Sequence, residues 1–296
     1  MWVVMSVFPF GSIAEVRPVL VGIADYAVWG SVFRDFDSSI NLYASICGGP
    51  RDCSIVLYRS LDGISFREVG TVISDGLTAA PFRFGELYYI VYVDRKRGNR
   101  VRLAVSRNPD SGFKDEAIIA TPQVFGNAAE IDLGCNVYMR GPMVDLIVSN
   151  ILPYPRNLYL LRFSVSGNFV MARPLVNGSG VPGPWHSLHN ASVYRVGDTY
   201  YLLSASNDYS QKPYRGYILT FIMDSPYNVS DSFRYVLIDA TQLSKLFVGR
   251  ETVLGADTPS LLVSGNEILL YLSVVDRSDG PWNLYVIKYK GENYAF

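Results

Sequence analysis

Three aspartates and a histidine stand where short extended segments begin: Asp25 in ADYA, Asp132 in IDLG, His189 in HNAS and Asp257 in DTPS. The last two are each followed eight residues on by a glycine, Gly197 and Gly265, which marks the turn after the strand. Ahead of the turn in APFRFG, Ala79, two residues before Pro81, is taken as the corresponding position. The expected ring is therefore Asp25, Ala79, Asp132, His189 and Asp257. Carboxyls and an imidazole gathered at one place are the side chains of proton transfer, and burying them is costly unless they are paired or used. The competing chemistry is local, because an aspartate at a strand start commonly bonds the turn backbone. A ring of carboxylate oxygens also offers a hard cation such as Ca²⁺ a site.

Aromatic residues adjoin these positions. Trp29, Trp185, His186 and Tyr26 flank the segments headed by Asp25 and His189. Rings beside polar groups suit the apolar C–H faces of sugars, so Trp29, Trp185, His186, His189 and Asn190 are the candidate ligand-binding residues. The same rings are equally at home as core filler, the expectation for Trp2 and Trp282.

The elements that must carry these residues are strands. Runs of Val, Ile, Leu and Tyr are punctuated by Gly, Asn, Asp and Pro, and only the stretch Asp239–Phe247 offers a helical turn. The unit recurs about five times. DYAVWGSVF, INLYAS, SIVLYRS and SFREVGTVI form the first, and TAAPFRF, ELYYIVYVD, VRLAVS and FKDEAIIA the second. EIDLGCNVYM and HNASVYRVG open the third and fourth. The fifth, from DTPSLLV through NLYVIKYK, lacks an outer strand, which WVVMSVF or EVRPVLV near the N-terminus can supply. Four strands per repeat is the content of a propeller blade, and closing the ring from both termini removes an exposed edge. The expectation is an all-β, five-bladed β-propeller of four-stranded antiparallel blades, one domain over residues 1–296; a pair of β-sandwiches is the alternative.

Composition agrees with a packed chain. Of 296 residues, 49% are hydrophobic and 18% charged, so a large core is available. A net charge of −1 without a basic block gives no support for nucleic-acid binding. The start, MWVVMSVFPF, lacks a positive region and a cleavage site, which argues against a signal peptide. No apolar run reaches the ~18 residues of a membrane span. The compartment stays open between cytoplasm and cell surface. Cys47 and Cys53 bracket the turn GGPRD, where they are either cross-strand partners in a disulfide or two ordinary thiols, and Cys135 is left over. No C-x-x-C pair suggests zinc.

Several fragments resemble the five-bladed glycoside hydrolases of family 43, the arabinanase and xylosidase group. Asp25-Tyr26-Ala27-Val28 resembles the D-P-x-V start of that family, and APF after Ala79 its W-A-P. AVSRNPDSGFKD, Ala104 to Asp115, is similar to its A-x-S-x-x-P-x-G-P-F segment, and EID ending at Asp132 to its I-D-P. YRSLDGISF, Tyr58 to Phe66, resembles the end of its first blade. The resemblance implies Asp25 as general base and Asp132 as the residue that tunes the acid and orients the sugar. It also implies a departure. The family's general acid is a Glu at the start of blade four, where this chain has His189-Asn190-Ala191, and its blade-five His is here Asp257. Hydrolysis of a glycosidic bond ordinarily needs two carboxyls flanking it. Asp257 then takes the acid's part, or Glu130 or Glu251 reaches in. Two functions follow: a glycosidase acting on oligosaccharide in the central channel, or a propeller that binds carbohydrate, or a protein partner in an assembly, without hydrolysis.

Overall fold

The computed structural model describes residues 10–152, 154–181, 187–208, 215–226, 228–229, 235–239, 255–264, 267–275 and 280–290. The chain forms five antiparallel sheets arranged as a propeller. After β1 (Ser12–Leu20), the first blade is β2 (Ala27–Arg34), β3 (Ile40–Gly49), β4 (Asp52–Ser60) and β5 (Arg67–Ile73). The second is β6 (Leu77–Phe84), β7 (Leu87–Asp94), β8 (Arg100–Ser106) and β9 (Lys114–Ala120). The third is β10 (Glu130–Arg140), β11 (Met143–Leu152), β12 (Leu158–Ser164) and β13 (Phe169–Val176). In the fourth, β14 (Leu188–Val196), β15 (Thr199–Asp208) and β16 (Arg215–Ser225) are followed by β17 (Asn228–Val229) and β18 (Tyr235–Asp239), which both pair with β16. The fifth is β19 (Gly255–Ser264), β20 (Glu267–Val275) and β21 (Asn283–Lys290), with β1 as its outermost strand.

Ring closure follows the sequence expectation. β1, which holds most of EVRPVLV, pairs with β21 from Ser12 opposite Lys290 to Leu20 opposite Leu284, so the outer edge of β21 is covered by the other end of the chain. WVVMSVF lies outside the described residues, as does the stretch proposed as a helical turn, apart from Asp239 at the end of β18. Among the described residues no helix is long and apolar enough to cross a membrane.

Each blade is apolar on both faces, and its side chains interlock with the next blade. One cluster joins Val91 and Leu103 of the second blade to Leu133, Val144 and Leu161 of the third. Another joins Leu42 of the first to Leu284 and Val286 of the fifth, closing the ring on the other side. Specific polar pins add to this packing. The hydroxyl of buried Tyr271 donates to the Gly63 carbonyl 2.6 Å away, tying blade five to the Asp62 turn of blade one. Asp62 itself accepts from the Ile64 and Ser65 amides, which holds its carboxyl far below the usual carboxylate range.

The register of the inner strands corrects the expected ring. In blades two, four and five the pairing skips a residue between Leu77 and Ala80, His189 and Ser192, and Asp257 and Ser260. Each bulge contains a non-glycine residue in the left-handed region: Thr78 at φ 46, Asn190 at φ 46 and Thr258 at φ 52. The residue equivalent to His189 and Asp257 is therefore Leu77, not Ala79. In blade three register shifts lie between Glu130 and Ile131 and between Leu133 and Val137, on either side of Asp132, and in blade one β2 pairs with β3 without interruption. Asp25 precedes β2 altogether.

Inner strands approach so closely that one position admits only glycine. A Cβ on Gly134 of β10 would run into the carbonyl oxygen of Ala191 in β14, a backbone atom that cannot swing aside. Gly134→Ala is expected to destabilise the protein by about 1–3 kcal/mol, read as a lower urea midpoint with an unchanged slope. An unaltered midpoint would show that the two strands are farther apart than described.

Candidate functional site

Every inner strand begins at the same mouth of the channel, and the second strand of each blade ends there. The mouth therefore collects residues from two places in each blade. His189 and Asp257, heads of adjacent inner strands, meet directly: Nε2 of His189 lies 3.2 Å from Oδ2 of Asp257. Nδ1 of the same ring donates to the Ser187 carbonyl at 2.7 Å. The ring is thus held between the Ser187 carbonyl and the Asp257 carboxylate. The left-handed turn at Asn190 aims its carboxamide at blade five, where Nδ2 donates to Oδ1 of Asp257 at 2.9 Å and to Oγ1 of Thr258 at 3.2 Å. The left-handed turn at Thr258 brings its own amide to Oδ1 of Asp257, at 2.6 Å. The two bulges are thus what build the network. A β-branched residue at positive φ is strained, by about 1–3 kcal/mol, and here the strain turns an amide onto a buried carboxylate.

The electrostatics of Asp257 follow from these partners. Burial pushes its carboxyl up, but the charge of His189 and the hydrogen bonds from His189, Asn190 and the Thr258 amide outweigh it, and Asp257 lies below the usual carboxylate range. Only 7% of the residue is exposed. It is a buried, fully solvated-by-protein anion.

Asp132 has the opposite character. Oδ1 of Asp132 accepts from Arg95 at 3.0 Å. Burial nevertheless pushes its carboxyl above the ordinary range, opposed by Arg95 and raised further by the Asp257 charge; His189 and Arg156 pull the other way. Arg156 is buried and donates through Nε to the Ile151 carbonyl at 3.1 Å and through a terminal nitrogen to the Tyr154 hydroxyl at 2.8 Å. Two carboxyls at one mouth are thus pushed apart in proton affinity.

Asp25 lies in the exposed turn before β2 and makes no hydrogen bond or ion pair with the described residues. Its neighbour Tyr26 stands edge-on to Trp29, with ring centroids 6.1 Å apart. Trp29 is half-buried and packs against the core shared by the first three blades, and Trp282 packs there too, as expected of a structural ring. Glu130, half-buried at the head of β10, pairs opposite Leu152. Trp185, His186 and Glu251 lie outside the described residues. So does Gly265, one of the turn markers. Among the described residues no group of three or more His, Cys, Asp and Glu side chains is placed to hold a metal.

Arg95, Arg156 and Asn207 were not expected. Arg95 belongs to DRKRG, which has the look of a solvated hairpin turn, and Asn207 ends a strand of small polar residues. The carboxamide of Asn207 lies 3.4 Å from Nε2 of His189. Their only sequence signal is position: each stands at or just past the end of a second strand, at the mouth where the inner strands begin. Cys47 and Cys53, directly opposite each other on β3 and β4, form a disulfide at this mouth. Cys135 is a buried free thiol in the channel, pushed up to about 12 by burial and therefore unreactive.

With this geometry in hand, the kinship of the fold is clear. No protein-family model matches the chain, and no curated protein matches it. Solved structures do. The α-L-arabinofuranosidase PaAbf62A from Podospora anserina in complex with cellotriose matches 96% of this chain and 99% of its own at a TM-score of 0.65 and 14% identity. The α-L-arabinanase of Cellvibrio cellulosa complexed with arabinohexaose matches 91% of this chain and 92% of its own, at 0.62 and 13%. The α-L-arabinofuranosidase CtGH43 from Clostridium thermocellum matches 93% and 96%, at 0.64 and 13%. The chain shares the five-bladed β-propeller fold of these structures.

The depressed Asp257 makes a signed prediction. A carboxyl lowered in the folded state stabilises the fold above its unfolded value of about 3.9, and that contribution is lost as the pH falls through the lower folded value. His189→Gln removes the imidazole partner of the buried Asp257 carboxylate and is expected to cost about 3–5 kcal/mol near neutral pH, by urea unfolding. The gap from wild type should narrow as the pH falls, beginning where Asp257 of the variant, raised by burial that His189 no longer offsets, takes up its proton. A gap constant into strong acid would show that His189 does not hold Asp257 as a carboxylate.

Proposed function

We propose that this protein binds carbohydrate at the mouth of its propeller and does not cleave it by the ordinary two-carboxyl route. The observation that carries the reading is the buried His189–Asp257–Asn190 network. His189 stands where the resembled hydrolases keep their acid, and Asp257, the carboxyl best able to replace it, is held ionised by three donors and hidden from solvent. A general acid must arrive protonated and reach the glycosidic oxygen. Asp257 does neither. What the mouth offers a sugar is the exposed Asp25 carboxyl, with the half-buried Arg95–Asp132 pair and the Tyr26 and Trp29 rings as further candidates, a mixture of hydrogen-bonding groups and apolar faces. The names of the similar structures, which include complexes with cellotriose and arabinohexaose, suggest β-glucan- or arabinan-type oligosaccharides as first ligands to try.

One observation favours a second reading. Asp132 is pushed toward its protonated form while Asp25 is solvated, so Asp132 as acid and Asp25 as base are the pair from which hydrolysis would be assembled.

The two readings separate in one experiment. Calorimetric titration with cellotriose and with arabinohexaose is expected to give saturable binding for at least one, with the sugar recovered at full length after prolonged incubation. Asp25→Asn should weaken that binding about tenfold or less, the effect of losing one solvent-exposed polar contact. Shortened products that disappear in both Asp25→Asn and Asp132→Asn would establish the hydrolase instead. Heat of binding to neither sugar would count against both of these ligand classes.

A further inference from the structure

The disulfide hairpin of blade one touches two of the mouth acids at once, through different partners. Cys47 and Cys53 sit opposite each other where β3 meets β4, and the chain between them turns through Pro50. The Cys47 carbonyl accepts from the Tyr26 amide at 3.0 Å, next in sequence to Asp25. The Pro50 carbonyl accepts from Arg95 at 3.0 Å, and the other terminal nitrogen of that guanidinium donates to Asp132 at 3.0 Å. Arg95 reaches across from blade two to blade three, so its two ends connect three blades. Lys96 adds a looser tie, 3.7 Å from Asp52 in the same hairpin and 2.5 Å from Asp75.

We propose that the Cys47–Cys53 cross-link is a positioning device for the mouth: it fixes the Pro50 carbonyl, the Pro50 carbonyl orients Arg95, and Arg95 sets the placement and charge state of Asp132. The role rests on the carbohydrate-site reading for its purpose, but not for its physics. A guanidinium is planar and rigid, so anchoring one terminal nitrogen on a carbonyl fixes where the other points. A hairpin tip containing two glycines, Gly48 and Gly49, has little conformational preference of its own, and the cross-link supplies the missing order. Arg95 has a reason to need orientation: its Nε is buried without a hydrogen-bond partner among the described residues, so the side chain is held there by its two terminal contacts. Cutting the link releases the first contact and weakens the second. Arg95 and the cysteines are positioning residues here; Asp132 is the group that faces a ligand.

The charged groups facing Asp132 are Arg95 from blade two, Arg156 from blade three, His189 from blade four and Asp257 from blade five. Of these, only Arg95 touches the disulfide hairpin. Carbon-13 NMR titration of the Asp132 carboxyl is therefore selective for the link and needs no sugar. Arg95→Ala is expected to move the Asp132 midpoint to higher pH, because the attracting cation is gone, and Arg95→Lys to move it less. Cys47→Ser/Cys53→Ser is expected to move it in the same direction, and to add nothing further when combined with Arg95→Ala. A midpoint in the double-serine variant equal to wild type, or shifts that simply add in the combined variant, would overturn the proposal. Arg95→Ala leaves the cross-link intact, so if the serine variant does not fold, an unmoved midpoint in Arg95→Ala still refutes it. Because no ligand enters the measurement, absence of sugar binding and absence of the link are separate results.

Discussion

Five sheets can close on one axis only if their innermost strands come closer than strands in stacked sheets normally do, and this crowding governs the rest of the molecule. It demands small residues along the channel. Gly134 lies against the Ala191 carbonyl, the Ser192 hydroxyl accepts from the Cys135 amide at 2.6 Å, and the Ser260 hydroxyl accepts from the Val32 amide at 3.0 Å. Ser31 donates to the Ala79 carbonyl in the same way. These short side chains satisfy backbone groups that have no partner strand on the channel side.

Crowding also explains the bulges. A strand that must bend sharply at its start relieves the bend by inserting an unpaired residue, here Thr78, Asn190 and Thr258. In blades four and five the inserted residues became part of the chemistry. Asn190 and the Thr258 amide converge on Asp257, and His189 completes its coordination. In blade two the same bulge carries Leu77, an apolar residue, and no network forms. The left-handed backbone is thus a common mechanical feature, and only the side chain in front of it decides whether a polar site results. Removing either partner of the His189–Asp257 pair strands the other in a protein interior, the case in which a buried ion pair matters most.

Much of this was legible in the residues. Alternating apolar runs and turn signals marked the hairpins of every blade, and the shortage of an outer strand in the fifth repeat pointed to WVVMSVF or EVRPVLV, of which EVRPVLV forms most of β1. His189, Asn190 and Asp257 were singled out, and they form one network. Ala79 lies six residues before Gly85, whereas the eight-residue spacing of Gly197 and Gly265 leads back to Leu77, the residue the register places there. What stayed hidden has a physical reason in each case. The exchange of charge between His189 and Asp257 depends on a 3.2 Å contact between residues 68 apart in sequence, beyond the reach of any local pattern. Arg95 sits in a charged turn whose composition says only that it is solvated, and its role depends on where the disulfide hairpin and Asp132 happen to meet. The pairing of Cys47 with Cys53 was one of two open readings until the register placed them opposite each other.

The central claim is that the mouth receives a sugar while its buried carboxylate network stays closed. A crystal structure of the protein soaked with arabinohexaose or cellotriose tests it most directly. The account predicts an uncleaved oligosaccharide at the mouth beside Asp25 and the Arg95–Asp132 pair, with the His189–Asp257 contact unbroken. A sugar whose glycosidic oxygen lies against the Asp257 carboxyl, or a shortened product in that position, would contradict it.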